Sequence, residues 1–566
     1  MENKFWLVLS FRRVRKAAFI WVQFALLSYV VLLTNPGFAQ TRKSQDPANG
    51  IYQYSVPIEN RAAYLWIPPE CKQVRGVIIS LANLLERRWL EDPAIRKTAA
   101  QEGLGIIWVG PADPGIKKDQ VFTADMRDGA GKLLDKMLKD FADESGYKEV
   151  EFVPIIAMGH SANGQFAWQV PNWNPDRTIA AIPVKTMPLP AKLDFEGVPM
   201  CYVVGQTTEW PQYRVPDPAT QPGDRDFFWP VVSKSAVALR QLNTNNLLSV
   251  VVDPGGGHFD WSDRLAKFIS LFIHKACQYR LPQNQAKDGP VKLKPIDPKS
   301  GWLTDTAGID TDTFWPAPYS AYKGDPSKAY WFFDEETAMA AAAFDGDRKP
   351  RKKQMLTFIQ DGNPLPVAKL GFAPLKFEPE KDGMTFKVQG AFLKELPPEL
   401  LDSGTPLGHA SGPIKFKLIT GPAVQTGPDE FRVQFNRGDY GGDIWLQAEH
   451  PGNDEFRHAV QPAKLQIPAV LTKGKEQQIT FPAVPDQKGS VKSIKLTAYS
   501  SSELPVYYYL ISGPAIIQDG LLKIKQVPIN TRYPIKITVV AYQWGRILPP
   551  QYKSAQSVLR SFLLYK

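Results

Sequence analysis

Cysteine is scarce: Cys71, Cys201 and Cys277 are the only three in 566 residues, odd in number and widely spaced. At most one disulfide can form, and no Cys-x-x-Cys pair is present to hold zinc, so a stapled scaffold is excluded. Membrane-spanning character is also thin. The apolar stretch 17–33 follows Lys4, Arg12, Arg13, Arg15 and Lys16 and precedes the small residues of Gly37-Phe38-Ala39. Residues 1–39 are therefore expected to be an export signal whose removal leaves Gln40 first and no stable membrane insertion. The alternative is an uncleaved anchor, because the stretch approaches the ~17-residue lower limit of a spanning helix. Either way the body is expected outside the cytoplasm, periplasmic or secreted. No cysteine stands directly after Ala39, which argues against a lipid anchor.

Excess positive charge is modest too. The formal charge is +10, of which the five basic residues of the first 39, set against Glu2, supply four, leaving +6. Outside 348–353 no dense Lys/Arg patch is interleaved with aromatics, so nucleic-acid binding is not expected. A phosphate-cradling Gly loop is missing, and His450, His458, Asp443 and Asp454 are scattered over turns of the second half, so neither a cofactor nor a metal is expected.

What the chain has is length, proline and tryptophan. A sequence of 566 residues exceeds one core and allows roughly three or four compact units. Its 50 prolines and 15 tryptophans point to a loop-rich, partly β protein. Over residues 50–280 strand and helix signals alternate, as in a mainly parallel sheet flanked by helices. Strands are predicted at 64–67, 77–82, 105–109, 153–158, 179–184, 198–204 and 247–252, and helices at 94–102, 126–141 and 235–242. Ser262 is expected to cap a closing helix running to Ala276. The connection 206–230 is unusually long and rich in Pro and aromatics, the profile of a pocket-lining loop.

Residues 281–362 read as a linker with a helical segment at 335–343 that packs back on the first domain. Beyond them strands are punctuated by Gly and Pro, and a repeat emerges: Leu418-Ile419-Thr420-Gly421-Pro422-Ala423-Val424 matches Leu510-Ile511-Ser512-Gly513-Pro514-Ala515-Ile516. This period indicates two tandem β-sandwich modules, 363–465 and 466–566. The stretches Gln478-Ile479-Thr480-Phe481-Pro482-Ala483-Val484-Pro485-Asp486 and Ser512-Gly513-Pro514-Ala515 resemble bacterial immunoglobulin-like repeats. Such repeats are found in exported multidomain proteins; glycan contact by these modules, or a role as spacers, is the expectation.

The chemistry centres on Gly159-His160-Ser161-Ala162-Asn163-Gly164, between an apolar strand and a helix-like stretch. A strand-to-helix elbow exposes a Ser hydroxyl but demands small neighbours two residues to either side. Gly159 meets the first demand; Asn163 stands at the second and Gly164 comes one place late. Downstream, Val250-Val251-Val252-Asp253-Pro254-Gly255-Gly256-Gly257-His258 delivers a histidine on a flexible turn, suited to act as general base to Ser161. The third member is expected after the strand ending at Val204: Glu209 is the first carboxylate, Asp217 the alternative, with Asp224 and Asp226 in the same loop. Oxyanion donors are expected from the backbone N–H of Ala162 and of Asn83 or Leu84. Trp168, Trp210 and Trp229 are candidates for the substrate wall.

With Gly159-His160-Ser161-Ala162-Asn163-Gly164-Gln165-Phe166-Ala167 and Pro175-Asp176-Arg177, residues 60–277 resemble the α/β-hydrolase superfamily, nearest to exported esterases of the polyhydroxybutyrate-depolymerase-like kind. Glucuronoyl esterases are a more distant likeness through Ser161-x-Asn163-Gly164, with Ala162 where they carry Arg. The resemblance implies ester hydrolysis through an acyl-enzyme; the substrate does not follow from the fold, and an ester in a carbohydrate or polyester setting is the expectation. A catalytically inactive hydrolase fold serving as a glycan- or protein-binding module is the alternative.

Overall fold

Six apolar runs become strands buried along their whole length, as a sheet covered by helices on both faces requires. In a computed structural model of the chain they are β3 (Gly76–Leu81), β4 (Leu104–Val109), β5 (Ile155–His160), β6 (Thr178–Val184), β7 (Met200–Gly205) and β8 (Leu248–Asp253). Ahead of them run β1 (Tyr54–Ile58) and β2 (Arg61–Trp66). The structure describes residues 50–111, 126–205, 209, 215–216, 226–227, 229–253, 255–305, 315–346, 351–367, 371–398, 403–439 and 441–566. The export-signal stretch, Trp210 and Asp217 lie outside these, and no helix among the described residues is long and apolar enough to cross a membrane.

The eight strands form one sheet in the order β1-β2-β4-β3-β5-β6-β7-β8. Pairing is antiparallel from β1 to β4 and parallel from β4 to β8. Alternate side chains feed two cores: Ile78 enters one, while Val77, Ile79 and Leu81 enter the other. The helices are α1 (Glu86–Leu90), α2 (Pro93–Glu102), α3 (Gly131–Ser145), α4 (Gly164–Trp173), α5 (Trp229–Leu242) and α6 (Asp263–Arg280). Local chemistry sets their ends. Asp92 caps α2 by accepting from the Ala94 amide, and Gly103 ends it at φ 69°, where a Cβ would be strained. Ser262 caps α6 by accepting from the Leu265 amide at 3.1 Å.

The stretch read as a linker is more ordered than that reading. It supplies a three-stranded sheet, with Trp302–Thr304 between Ala317–Pro318 and Tyr330–Phe332, followed by α7 (Glu335–Gly346). It is fastened to the main sheet and to α5: Ser249 Oγ donates to the Trp331 carbonyl, and buried Arg240 of α5 donates to the carbonyls of Ala329 and Pro326. The residues without clear periodicity here form short strands and a helix.

The two C-terminal modules share one plan. Each has a four-stranded sheet: 373–374, 459–466, 443–450, 415–420 in the first and 487–488, 558–565, 535–542, 507–512 in the second. Each adds a three-stranded sheet and an apolar core of its own. The ladder of each slips by one residue at the repeated motif, after Leu418 and after Leu510. Both modules dock on the hydrolase-like part. Ser55 Oγ donates to Ser512 Oγ at 3.0 Å, the Arg532 amide donates to the Ser145 carbonyl, and Arg87 pairs with Asp439 at 3.3 Å. All three cysteines are buried and free.

Candidate active site

β5 ends at the sheet centre, and the chain turns sharply there into α4. Ser161 sits at φ 53°, an αL geometry that costs a non-glycine residue about 1 kcal/mol or more and is kept only where the surroundings impose it. Gly159 is obligatory, since a Cβ on it would lie 2.2 Å from the Asn163 carbonyl oxygen. Gly164 is equally constrained, its Cβ falling 2.3 Å from Thr186 Oγ1. Asn163 itself has ordinary angles, φ −84° and ψ 0°, and its Nδ2 donates to the Ala82 carbonyl at 2.9 Å, tying the elbow to the end of β3. The late glycine is thus no defect, for the position two after the serine needs no positive φ.

Three loops at the C-terminal edge of the sheet bring the expected side chains together. Ser161 Oγ lies 2.8 Å from His258 Nε2, and His258 Nδ1 lies 3.3 Å from Glu209 Oε1. Glu209 is buried and its Oε2 accepts from the Gly205 amide. Burial pushes the His258 imidazolium well below its usual range, with His160 and Lys185 adding to the shift, so the ring is held neutral and able to take a proton. Burial pushes Glu209 upward, opposed by the Lys185 ammonium and the Gly205 amide.

A second layer, not foreseen from sequence, holds the histidine loop. Lys185 follows β6 at φ 48° and is fully buried. Its Nζ donates to Asp260 Oδ2 and to the Asp260 carbonyl, both at 2.9 Å, and lies 3.0 Å from Asp253 Oδ2. Asp260 Oδ1 accepts from the Gly257 amide at 2.6 Å. One cation therefore spans the turn that carries His258. Burial works against the charge of Lys185, but Asp260 and Asp253 outweigh it and hold the ammonium above the usual lysine range. Asp260 is pushed up to about 6 by burial, against the pull of Lys185. Lys185→Met leaves two buried carboxylates without a counter-charge, so it is expected to destabilise the fold by about 3–5 kcal/mol. A thermal midpoint unchanged from wild type would sink that expectation.

His160 is also buried, and its Nε2 lies 2.8 Å from the His258 carbonyl oxygen. A carbonyl can only accept, which assigns the proton to Nε2. Burial lowers its pKa to about 3, so it stays neutral while tethering the neighbouring loop.

The loop after β3 overturns one expectation. The amides of Asn83 and Leu84, expected as oxyanion donors, both donate to Glu86 Oε2 at 2.8 Å, while Glu86 Oε1 accepts from the His160 amide at 3.1 Å. Burial pushes Glu86 up to about 7, with these amides pulling it back. Both donors are spent inside the protein, and the Asn83 side chain is spent too, on the His160 carbonyl at 3.1 Å. Ala162, directly after Ser161, is exposed. Trp168 is likewise corrected: it is 3% exposed and packs in the main core, so it cannot meet a substrate. Trp229 opens α5, its side chain outside the described residues, as are Trp210 and Asp217 altogether. Among the described residues no group of three or more His, Cys, Asp or Glu is arranged to hold a metal.

Strand order, parallel run and elbow together make an α/β-hydrolase fold. No family model and no curated protein matches the chain. Among solved structures it is similar to LpqC, a poly(3-hydroxybutyrate) depolymerase from Bordetella parapertussis, at 17% identity and TM-score 0.26, over 42% of this chain and 96% of that one. An S-formylglutathione hydrolase from Agrobacterium tumefaciens is 12% identical at TM-score 0.26, over 40% and 92%. Est1E from Butyrivibrio proteoclasticus is 13% identical at TM-score 0.25, over 40% and 96%.

Proposed function

We propose that the chain is a serine hydrolase that cleaves carboxylic esters through an acyl-enzyme. The 2.8 Å approach of His258 Nε2 to Ser161 Oγ carries the reading, because it joins a strained, accessible hydroxyl to a ring kept neutral by burial. In this scheme His258 takes the Ser161 proton as Oγ attacks the ester carbonyl, then returns it to the leaving alkoxide. Glu209 orients the ring and balances its transient charge, and the Ala162 amide faces the oxyanion. Water repeats the sequence to release the acid. The ester is one carried by a carbohydrate or polyester, the enzyme is exported from Gln40 onward, and its two β modules are immunoglobulin-like. A binding protein built on the same fold is the second reading, drawing on the occupied amides of Asn83 and Leu84.

The test is turnover of p-nitrophenyl acetate and butyrate by the chain lacking residues 1–39, together with fluorophosphonate labelling mapped by peptide mass spectrometry. Turnover with the label on Ser161 is expected. Neither turnover nor labelling would favour the binding protein.

A further inference from the structure

His258 rides on Gly255-Gly256-Gly257, a turn with more backbone freedom to lose than any other composition gives, so something outside it must hold it still. Lys185 and His160 hold it from the catalytic domain. The opposite side rests on the first β module. Strand Asp443–His450 is buried on both faces: Ile444, Leu446 and Ala448 enter the module's own core, and the alternate face turns to the histidine loop. The Trp445 ring packs 4.5 Å from Phe259, whose ring stands edge-on to His258, also at 4.5 Å. Gln447 Oε1 accepts from the Trp261 amide at 3.3 Å. At the start of the turn, Gly255 lies so close to the module that a Cβ would come 2.0 Å from the His458 carbonyl oxygen. The module thus touches the loop before, beside and after the catalytic histidine.

We infer that the first β module is part of the catalytic apparatus, with Trp445 and Gln447 as positioning residues that fix the His258 loop from outside the hydrolase domain. This rests on the Ser161–His258–Glu209 reading and goes beyond it, because a spacer or glycan-binding module has no reason to set the rate on a small ester. Trp445 touches Phe259 and not the reacting atoms, so its loss should loosen geometry without altering ester binding.

The test compares Trp445→Ala, Trp445→Phe and Gln447→Ala with wild type in the chain lacking residues 1–39. Kinetics are read on p-nitrophenyl acetate, and hydrogen exchange is followed over residues 253–263. Trp445→Ala is expected to lower kcat about 10²-fold, with KM within about twofold of wild type. Trp445→Phe should recover most of the loss, and exchange should speed up in the loop but not in β5 or β6. Should Trp445→Ala fail to fold, Gln447→Ala carries the decision, with faster loop exchange and a kcat loss of about tenfold at constant KM. Unchanged kcat and exchange in the folded variants, or a rise in KM alone, overturns the inference. Wild type without turnover defeats the triad reading instead, and the exchange comparison then still decides whether the module holds the loop.

Discussion

Ser161→Ala is expected to lower kcat on p-nitrophenyl butyrate by about 10⁶-fold, to the residual rate that binding and oxyanion contacts alone sustain. The change removes one oxygen, and with it the hydroxyl that His258 Nε2 faces at 2.8 Å, so the proposed base loses the proton it would take. Little else should move. Alanine keeps the Cβ that already tolerates φ 53°, and Ser161 is half-buried, so the thermal midpoint should shift by only the equivalent of about 1 kcal/mol. Loss of rate with a retained melting point would separate chemistry from folding. A variant within about tenfold of wild type would mean that another nucleophile does the work.

How far this site could be read from sequence depends on how local each signal is. β3 to β8 announce themselves as apolar runs, because strands buried on both faces admit little else. Ser161 and His258 were legible because an elbow and a glycine turn are local devices. Lys185 was not: a lysine after an apolar strand looks like the start of a solvated loop, and its partner Asp260 stands 75 residues away. The error over Asn83 and Leu84 had a visible signal in Asn83-Leu84-Leu85-Glu86, where an acid three residues after an Asn reaches back to early amides as in a capping box. Trp168 misled because helical spacing places a ring on a face without saying what covers it. Docking of the first module left one trace, Ile444-Trp445-Leu446, where apolar residues fill both faces of a strand that alternation would leave half polar.

Glu209→Gln separates the two acids that the sequence left open, and it is expected to cost about 10⁴-fold in kcat, a barrier increase of about 5.5 kcal/mol. The reason is a tautomer. A carboxylate 3.3 Å from His258 Nδ1 can only accept, which places the ring proton on Nδ1 and leaves Nε2 bare toward Ser161. A glutamine can turn its NH₂ to that same nitrogen and send the proton to Nε2, where it meets the hydroxyl it should deprotonate. Because burial already disfavours the charged carboxylate, the neutral isostere should fold as well as wild type, and the loss should appear as rate rather than stability. Asp217→Asn, assayed beside it, is expected to keep wild-type kcat. If Asp217→Asn took the 10⁴-fold loss and Glu209→Gln did not, the carboxylate against His258 would be a structural partner only, and Asp217 would be the catalytic acid.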